Sequence, residues 1–481
     1  MNLGEEYKVQ IIDMGTEGAG IGRVEGMTVF VEGAITGDYA EVEITQVKKS
    51  FAKGRVLELI QESPHRISPE CSYAKECGGC LFQSMDYEGQ LELKQKWVSD
   101  RLQRIGGITD IVVKPTLGMK EPYRYRNKAQ FPIQAGRLIK NHEGKLRNNK
   151  PCSIGFYKPR THDVVHCEHC MIQAEPAEVL AGAVKKFVEE QGISVYDSQN
   201  GMGILRHLIV KSGFSTGEVM AIVVVNGTHL KKAERLVELM DDAVNSLPMD
   251  ELGQQRWSLE SVVLNINKHK GSQILGKECI TLAGKPTITD RVGNLSFEIS
   301  PQSFYQVNPV QMKVLYDKVV EFADLTGKET VLDLYCGVGT IGLYCASKAK
   351  RVIGIESEKS AVLDANRNAV INGIVNAEYI YGKSEEVLPK RLRDVKADVV
   401  ILDPPRSGCD AALLDAVLKL NPERIVYVSC DPATLARDIK TLGEGGYAVK
   451  EVQPVDMFPW TGHVEAVIMM TYCGSDKKNR S

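Results

Sequence analysis

From residue 291 onward the chain alternates strand-like and helix-like segments, and this alternation limits the possible folds more than any other feature. Apolar runs at Val331–Tyr335, Arg351–Glu356, Ala377–Tyr381, Asp398–Leu402 and Arg424–Ser429 are each followed by a segment of helical periodicity. That is the pattern of a doubly wound parallel sheet with helices on both faces. The end breaks the pattern. Ala448–Pro454 and Glu465–Tyr472 both read as strands, with no helix of useful length between them. A parallel crossover needs about a dozen residues or more, so this closing pair is expected to be antiparallel. The predicted fold class is α/β, with a Rossmann-like C-terminal domain over 291–473.

Within that domain, Asp333-Leu334-Tyr335-Cys336-Gly337-Val338-Gly339-Thr340-Ile341-Gly342 sits where the first strand meets the next helix. Gly337 and Gly339 allow a tight turn and close ligand approach, and Gly342 allows close helix–strand packing. Glu356 ends the second strand, 23 residues beyond Asp333, near the ~20 expected for an acid that binds ribose hydroxyls. NAD and S-adenosylmethionine both satisfy this spacing. Two features favour S-adenosylmethionine: the antiparallel sheet end, which is the class I methyltransferase topology, and Asp403-Pro404-Pro405-Arg406 after the fourth strand. Prolines there cannot continue a ladder and fix a rigid loop beside the cofactor's reactive end. Lys383 stands where many methyltransferases carry an acid for the adenine amino group, so that contact has no assigned residue.

The rest of the chain divides in two. Residues 1–62 read as a small all-β barrel, with alternating runs at Tyr7–Asp13, Met27–Val31, Tyr39–Val47 and Gly54–Ile60 separated by glycine-rich turns such as Glu17–Gly20. Residues 63–290 form an α+β region, with helical patterns at Glu88–Ile105 and Pro176–Gln191 and strands at Leu205–Val210 and Val219–Val225. The net charge of −3 conceals an asymmetry. Between Lys114 and Cys170 twelve Lys/Arg face four Asp/Glu, a basic island that reads as a polyanion surface or a solvated face. In that island Tyr123–Lys128 alternates aromatic and positive residues, which on a strand would place the two sets on opposite faces. The positive set could grip phosphates, and the tyrosines could pack inward or stack on an unpaired base. The longest apolar runs fall far short of the ~20 residues that cross a bilayer, and no secretory signal is visible. A cytosolic protein with no membrane contact is expected.

Twelve cysteines in 481 residues are too dilute for a disulfide scaffold and read as free thiols, metal ligands or nucleophiles. Cys71, Cys77 and Cys80 lie within ten residues, and Cys167 and Cys170 follow. Cys77/Cys80 with Cys167/Cys170 would suit tetrahedral zinc. Three clustered thiols plus one distant thiol would suit an iron–sulfur cluster.

The ordered runs Ser303–Pro309, Asp333–Gly342, Asp403–Gly408, Tyr427–Asp438 and Gly462–Glu465 together resemble the RNA 5-methyluridine methyltransferases. The likeness covers nearly the whole chain and is nearest to the 23S ribosomal RNA (uracil-5-)-methyltransferase group of Gram-positive type. Ile12–Arg23 with Val31–Ala34 is similar to a TRAM domain, an RNA-binding barrel, with Lys48, Lys49, Lys53 and Arg55 as basic residues near its later strands. The resemblance implies Cys430 as nucleophile and Glu465 as base. It implies Gln306, Tyr335 and Glu356 as S-adenosylmethionine contacts, Asp403 near the methyl end and the uracil, and Arg406 beside the developing enolate. It also implies a [4Fe–4S] cluster on Cys71, Cys77, Cys80 and Cys170, leaving Cys167 as an extra thiol and Cys152, Cys336 and Cys409 as packing residues. Because methyl transfer has no redox step, such a cluster would be structural.

The implied chemistry is coherent. C5 of uracil is a weak nucleophile, and a thiolate adding to C6 creates an enolate with electron density at C5. A carboxylate then removes the C5 proton. Cys430 precedes a helix N-terminus, which favours a thiolate, while Asp431 opposes it; the sign of the shift is open at this point. The expected partner is 23S ribosomal RNA with a flipped uridine, at an unstacking cost of a few kcal/mol, bound by a monomer. The alternatives are the same reaction on the T-loop of transfer RNA, a non-catalytic RNA binder, and an iron–sulfur redox protein.

Overall fold

The computed structural model describes residues 1–136, 138–140, 146–148, 152–249, 253–391 and 396–474; part of the basic island and the polar tail 475–481 lie outside them. The N-terminal module is a closed barrel of β1 (Glu6–Met14), β2 (Gly20–Val24), β3 (Met27–Glu32), β4 (Tyr39–Val47) and β5 (Phe51–Gln61), in the order β1-β2-β3-β5-β4. Val9, Ile11, Val29, Val31, Val42 and Ile44 fill it. The turn expected at Glu17–Gly20 forms, and β2, for which no apolar run was marked, starts at its last residue. Its glycines serve packing, since a Cβ on Gly22 would stand 2.3 Å from Val9 Cγ1.

The middle of the chain contributes α1 (Tyr87–Arg104), β6 (Lys128–Ala135), β7 (Leu138–Lys140), β8 (Leu146–Asn148), β9 (Cys152–Tyr157), β10 (Val164–His166), α2 (Glu175–Gln191), β11 (Leu205–Ser212), β12 (Glu218–Val225), α3 (Ala233–Asn245), β13 (Ser258–Ile266) and β14 (Glu278–Gly284). Seven of these strands form one sheet, β10-β9-β6-β11-β12-β13-β14, and β7 pairs with β8. Leu180, Val184 and Phe187 of α2 and Leu236 and Met240 of α3 bury one face of it. α2 stops at Gly192, which takes the left-handed conformation (φ 61°) and returns its N–H to Val188 O. α1 does not join that core. Its Val98 and Leu102 pack against the C-terminal domain.

A hairpin of β15 (Ile288–Val292) and β16 (Leu295–Ile299) leads through α4 (Pro309–Ala323) into the second large sheet. There β17 (Thr330–Leu334), α5 (Thr340–Ala346), β18 (Arg351–Glu356), α6 (Lys359–Ile371), β19 (Ala377–Tyr381), α7 (Ser384–Arg391), β20 (Val399–Leu402), α8 (Ala411–Leu420), β21 (Arg424–Ser429), α9 (Pro432–Glu444), β22 (Tyr447–Val455) and β23 (Glu465–Tyr472) alternate as expected. The order is β19-β18-β17-β20-β21-β23-β22. The first five strands are parallel, and β23 slots antiparallel between β21 and β22. No described helix is long and apolar enough to cross a membrane.

The expected alternation at Tyr123–Lys128 does not form. Arg124 adopts φ 51° and the strand begins only at Lys128, so period two cannot hold. Tyr125 is buried, Tyr123 stacks on Trp460 with ring centroids 5.1 Å apart, and Arg124 is ion-paired with Glu178. Both tyrosines pack inward.

Candidate active site

The glycine loop sits at the C-terminal edge of the parallel strands, where open α/β sheets bind ligands. Asp333, next to last in the apolar strand β17, is fully buried, and its Oδ2 accepts the Gly342 N–H at 2.9 Å. A Cβ on Gly342 would stand 2.8 Å from that same oxygen, so the glycine is needed for close packing. Tyr335 takes a left-handed backbone (φ 64°), a costly conformation for a non-glycine residue, and its N–H is tied to Ile355 O at 3.1 Å. Glu356 Oε2 accepts the Gly337 N–H at 3.1 Å, and its Oε1 accepts the Glu358 N–H at 2.7 Å. Nothing lies within 4 Å of where a Gly337 Cβ would stand. The loop therefore opens onto free space.

Gln306 is buried in the turn before α4, and its backbone carbonyl accepts from Asn127 Nδ2 at 2.9 Å. Asn308 caps α4 by accepting the Gln311 N–H. Tyr316 of that helix donates to Thr340 Oγ1 at 2.8 Å, joining the turn to the glycine-loop helix.

Cys430 follows β21 and immediately precedes α9, half-buried. The N-terminus of α9 is occupied by Asp431, whose Oδ1 accepts the Ala433 and Thr434 N–H groups at 2.9 and 3.0 Å. The shift at Cys430 is upward. Burial, then the carboxyls of Glu465 and Asp403, push the Cys430 thiol up to about 12, with Arg406 opposing. Glu465, first in β23, is 4% exposed, and its Oε2 has no partner. Burial, then Asp403, raise it to about 8 against the pull of Arg406. Burial raises Asp403 to about 7. Burial, then Asp403, raise Asp333 to about 8. The structure thus gathers Cys430, Glu465 and Asp403 within one another's electrostatic reach, with Asp333 in reach of Asp403. Such a site is short of positive charge, and a bound sulfonium fits it. Buried carboxyl oxygens without partners, Asp333 Oδ1 and Glu465 Oε2, mark the same deficit.

Two members of the site were not singled out beforehand. His463 Nε2 accepts from Arg406 Nη2 at 3.3 Å. Burial, then Arg406, Arg126 and Lys94, push that histidine down to about 4, so it stays neutral and can accept. Lys94 of α1 forms a fully buried pair with Asp456 at 2.6 Å, which also accepts from Tyr87 OH and the Phe458 N–H. That cluster holds the turn leading to Glu465. Cys336 and Cys409 are buried.

The three-cysteine loop docks against that same turn, with the Leu81 N–H on Trp460 O at 2.9 Å. The Gly78 N–H donates to Tyr157 O at 2.9 Å and Gly79 to Cys77 Sγ at 3.4 Å. Cys71, Cys77 and Cys80 all lie within the electrostatic reach of Cys170. An S–H bond from Cys167, then the Ile172 and Gln173 N–H groups against the cost of burial, hold Cys170 down. Arg126, whose burial opposes its charge, is nonetheless sustained by Tyr125 and the thiols of Cys80 and Cys170. Among the described residues no three His, Cys, Asp or Glu are gathered to hold a metal ion, so neither the zinc set nor the iron–sulfur set is formed as a site. Four thiols with N–H donors and one half-buried guanidinium suit a soft, multi-iron group in donor chemistry. Cys152 is buried in β9, apart from this group.

Comparison with known proteins agrees with this geometry. Residues 256–472 match the family described as tRNA (Uracil-5-)-methyltransferase, and residues 2–57 match the TRAM domain. A protein of Caldanaerobacter subterraneus named as an RNA methyltransferase is 46% identical over 98% of this chain and 99% of its own. One from Bacillus cereus with the same designation is 45% identical over 95% of each. The crystal structure of Pyrococcus abyssi tRNA (uracil-54, C5)-methyltransferase in complex with S-adenosyl-L-homocysteine superimposes with a TM-score of 0.72 at 28% identity, covering 97% of this chain and 100% of that one.

Proposed function

Because the chain belongs to the RNA (uracil-5-)-methyltransferase family, and is thus an S-adenosylmethionine-dependent enzyme acting on RNA, we propose that it methylates C5 of specific uridines in 23S ribosomal RNA through a covalent adduct of Cys430. The observation that carries this reading is the convergence of one thiol and one unpartnered carboxylate, Cys430 and Glu465, beside the glycine loop. Gln306, Tyr335, Glu356 and Asp403 hold the cofactor, which supplies an electrophilic methyl group on a sulfonium.

Cys430 Sγ releases its proton to solvent water and adds to C6, leaving the ring as an enolate whose C5 takes up the methyl group. Arg406, steadied by neutral His463, faces the enolate charge. Glu465 removes the C5 proton, the C6–S bond breaks, and Cys430 leaves as thiolate. The resting thiol is protonated because it is half-buried beside the carboxyls of Glu465 and Asp403, and a sulfonium cation beside Asp403 favours the ionised forms of both Cys430 and Glu465. The thiolate therefore forms when the cofactor is present.

We take Cys71, Cys77, Cys80 and Cys170 as the ligands of a structural [4Fe–4S] cluster, supported by their donor set and by Arg126. The chain acts as a monomer in the cytoplasm, with a barrel over 1–62, a central cluster-bearing and RNA-binding domain over 63–290 and a methyltransferase domain over 291–473. A second reading keeps the chemistry and places the target uridine in transfer RNA. The likeness to the Pyrococcus abyssi enzyme over 97% of the chain, barrel included, favours it.

One experiment separates the two. Labelled S-adenosylmethionine is incubated with unmodified 23S transcript and with transfer-RNA transcripts, beside Cys430→Ala. Label in 23S RNA that Cys430→Ala loses supports the proposal. Label in transfer RNA alone overturns its substrate, and no label in either, with cofactor bound, points to a non-catalytic binder.

A further inference from the structure

Helix α9 carries a polar face that the chemistry above leaves unused. Leu435, Ala436, Ile439 and Leu442 bury one side of the helix in the domain core. Thr434, Arg437 and Asp438 stand three and four residues apart, as neighbours on another side, and all three turn to the loop between β20 and α8. Thr434 Oγ1 donates to Arg406 O at 3.1 Å. Arg437 Nη2 donates to Ser407 O at 3.0 Å and to Cys409 O at 3.3 Å. Asp438 Oδ2 accepts the Cys409 N–H at 2.7 Å. A Cβ on Gly408, whose φ is 76°, would stand 2.4 Å from Arg437 Nη2 and 2.6 Å from Asp438 Oδ2. Helix and loop therefore meet without room for a side chain.

Asp438 is 1% exposed, a depth at which a carboxylate is costly unless its oxygens are bonded. Besides the loop N–H, its Oδ2 accepts the Tyr427 hydroxyl at 2.6 Å, and its Oδ1 takes the Arg437 guanidinium at 2.7 Å. Tyr427 lies in β21, three residues before Cys430. One carboxylate thus ties the strand that delivers the thiol to the loop that carries Asp403 and Arg406. Arg406 is exposed, and among the described residues its guanidinium meets only His463. Its aim therefore depends on where its backbone is held, and α9 holds it.

We propose that Thr434, Arg437 and Asp438 are positioning residues, which fix this loop so that Arg406 faces the thiol at the start of the same helix. Their role rests on the reading above, in which Cys430 is the nucleophile and Arg406 faces the enolate. A displacement of about 1 Å at such a group costs on the order of 10²-fold in rate. Arg406 also opposes the carboxyls that push Cys430 and Glu465 up, so moving it away makes the thiol harder to ionise.

The test compares full-length wild type with Thr434→Val, Thr434→Ser, Arg437→Met, Arg406→Met and the double variant Thr434→Val/Arg406→Met, on whichever RNA the wild type labels. Thr434→Val and Arg437→Met should lower kcat about fivefold to tenfold, with KM for S-adenosylmethionine within about twofold. Thr434→Ser keeps the hydroxyl and should recover the rate. The double variant should be no slower than Arg406→Met alone, because the clamp acts through that guanidinium. Should Arg437→Met unfold, Thr434→Val carries the test, since Thr434 is half-buried in the first turn and valine keeps its volume.

The second readout is alkylation of Cys430 by iodoacetamide at about pH 8.5, followed on its own peptide by mass spectrometry without cofactor. The thiolate is the reactive form, so Arg406→Met, Thr434→Val and Arg437→Met should each slow alkylation severalfold. A loop that had merely loosened would expose the thiol and speed it. A wild-type rate in Thr434→Val, losses that multiply in the double variant, or faster alkylation in Thr434→Val overturn the clamp and leave the role of Arg406 intact. Wild-type turnover in Arg406→Met overturns the reading of Arg406, and the clamp with it. A wild type that labels neither RNA overturns the reaction proposed above, and the alkylation rates alone then decide whether α9 places Arg406.

Discussion

Glu465→Gln should make the protein more stable and the enzyme inactive, and the first effect can be sized from the structure. Glu465 is 4% exposed with one carboxylate oxygen unpartnered. Burial, then Asp403, raise it from 4.5 to about 8 against Arg406. A folded value above the unfolded one means that stability is intact below pH 4.5 and is lost as pH rises through about 8. At 1.36 kcal/mol per unit, ionisation of the unfolded chain costs the wild type below about 1 kcal/mol at pH 5 and about 3 kcal/mol at pH 7. Glutamine cannot ionise and escapes this loss. Any constant cost of burying its amide cancels when the two pH values are compared. At roughly 2–3 °C per kcal/mol for a domain of this size, the midpoint of Glu465→Gln should gain about 5 °C on the wild type between pH 5 and pH 7. Scanning calorimetry of both proteins across that range is the assay. In the presence of RNA and cofactor the same variant should accumulate a denaturant-stable protein–RNA adduct, since the C5 proton has no acceptor. A midpoint difference that stays flat with pH would refute the claim that Glu465 is buried near-neutral in an acidic pocket.

Other consequences follow from the same contacts. Cys430→Ala should cut methyl transfer by at least about 10⁴-fold while leaving S-adenosylhomocysteine affinity within twofold, measured by initial rates and calorimetry. Lys94→Met strands Asp456 as an uncompensated buried charge, and should cost about 3–5 kcal/mol in urea unfolding; adding Asp456→Leu should recover much of it. Gly462→Ala puts a Cβ 1.8 Å from Thr16 O of the barrel, so the turn must move. About 1–3 kcal/mol of stability and much of kcat should go with it. After anaerobic reconstitution, Cys80→Ser and Cys170→Ser should lose bound iron, whereas Cys152→Ser should keep it; equal iron in all three would remove the proposed ligand set.

What was legible in the sequence follows from range. The alternation after residue 291, the antiparallel end and the glycine loop depend on neighbours a few residues apart, and each formed as expected. Gly342 even lies against Asp333, nine residues away, as close packing requires. The misreadings arose where local pattern and tertiary packing disagree. The turn at Glu17–Gly20 formed, but β2 beyond it was not marked, because its glycines, which let the small barrel close over Val9 and Ile11, leave no apolar run to show a strand. The alternation at Tyr123–Lys128 looked like a strand, yet Arg124 turns the backbone to reach Glu178 and the Cys170 carbonyl.

Between β22 and β23 lies the segment 456–464, which in sequence is only a spacer too short for a helix. In the fold it is where the three parts of the chain meet. Lys94 holds Asp456, Tyr125 OH donates to Pro459 O, Leu81 donates to Trp460 O, and Gly462 lies against Thr16 of the barrel. The partners lie more than 300 residues apart, so no periodicity could announce them. This seam ends at Glu465. The proposed base is therefore positioned jointly by the barrel, the cysteine loop and α1, and a perturbation in any of them should reach turnover through the angle at which β23 begins. Loss of the proposed cluster and a barrel mutation at Thr16 should then produce the same kinetic signature, a fall in kcat with cofactor affinity preserved.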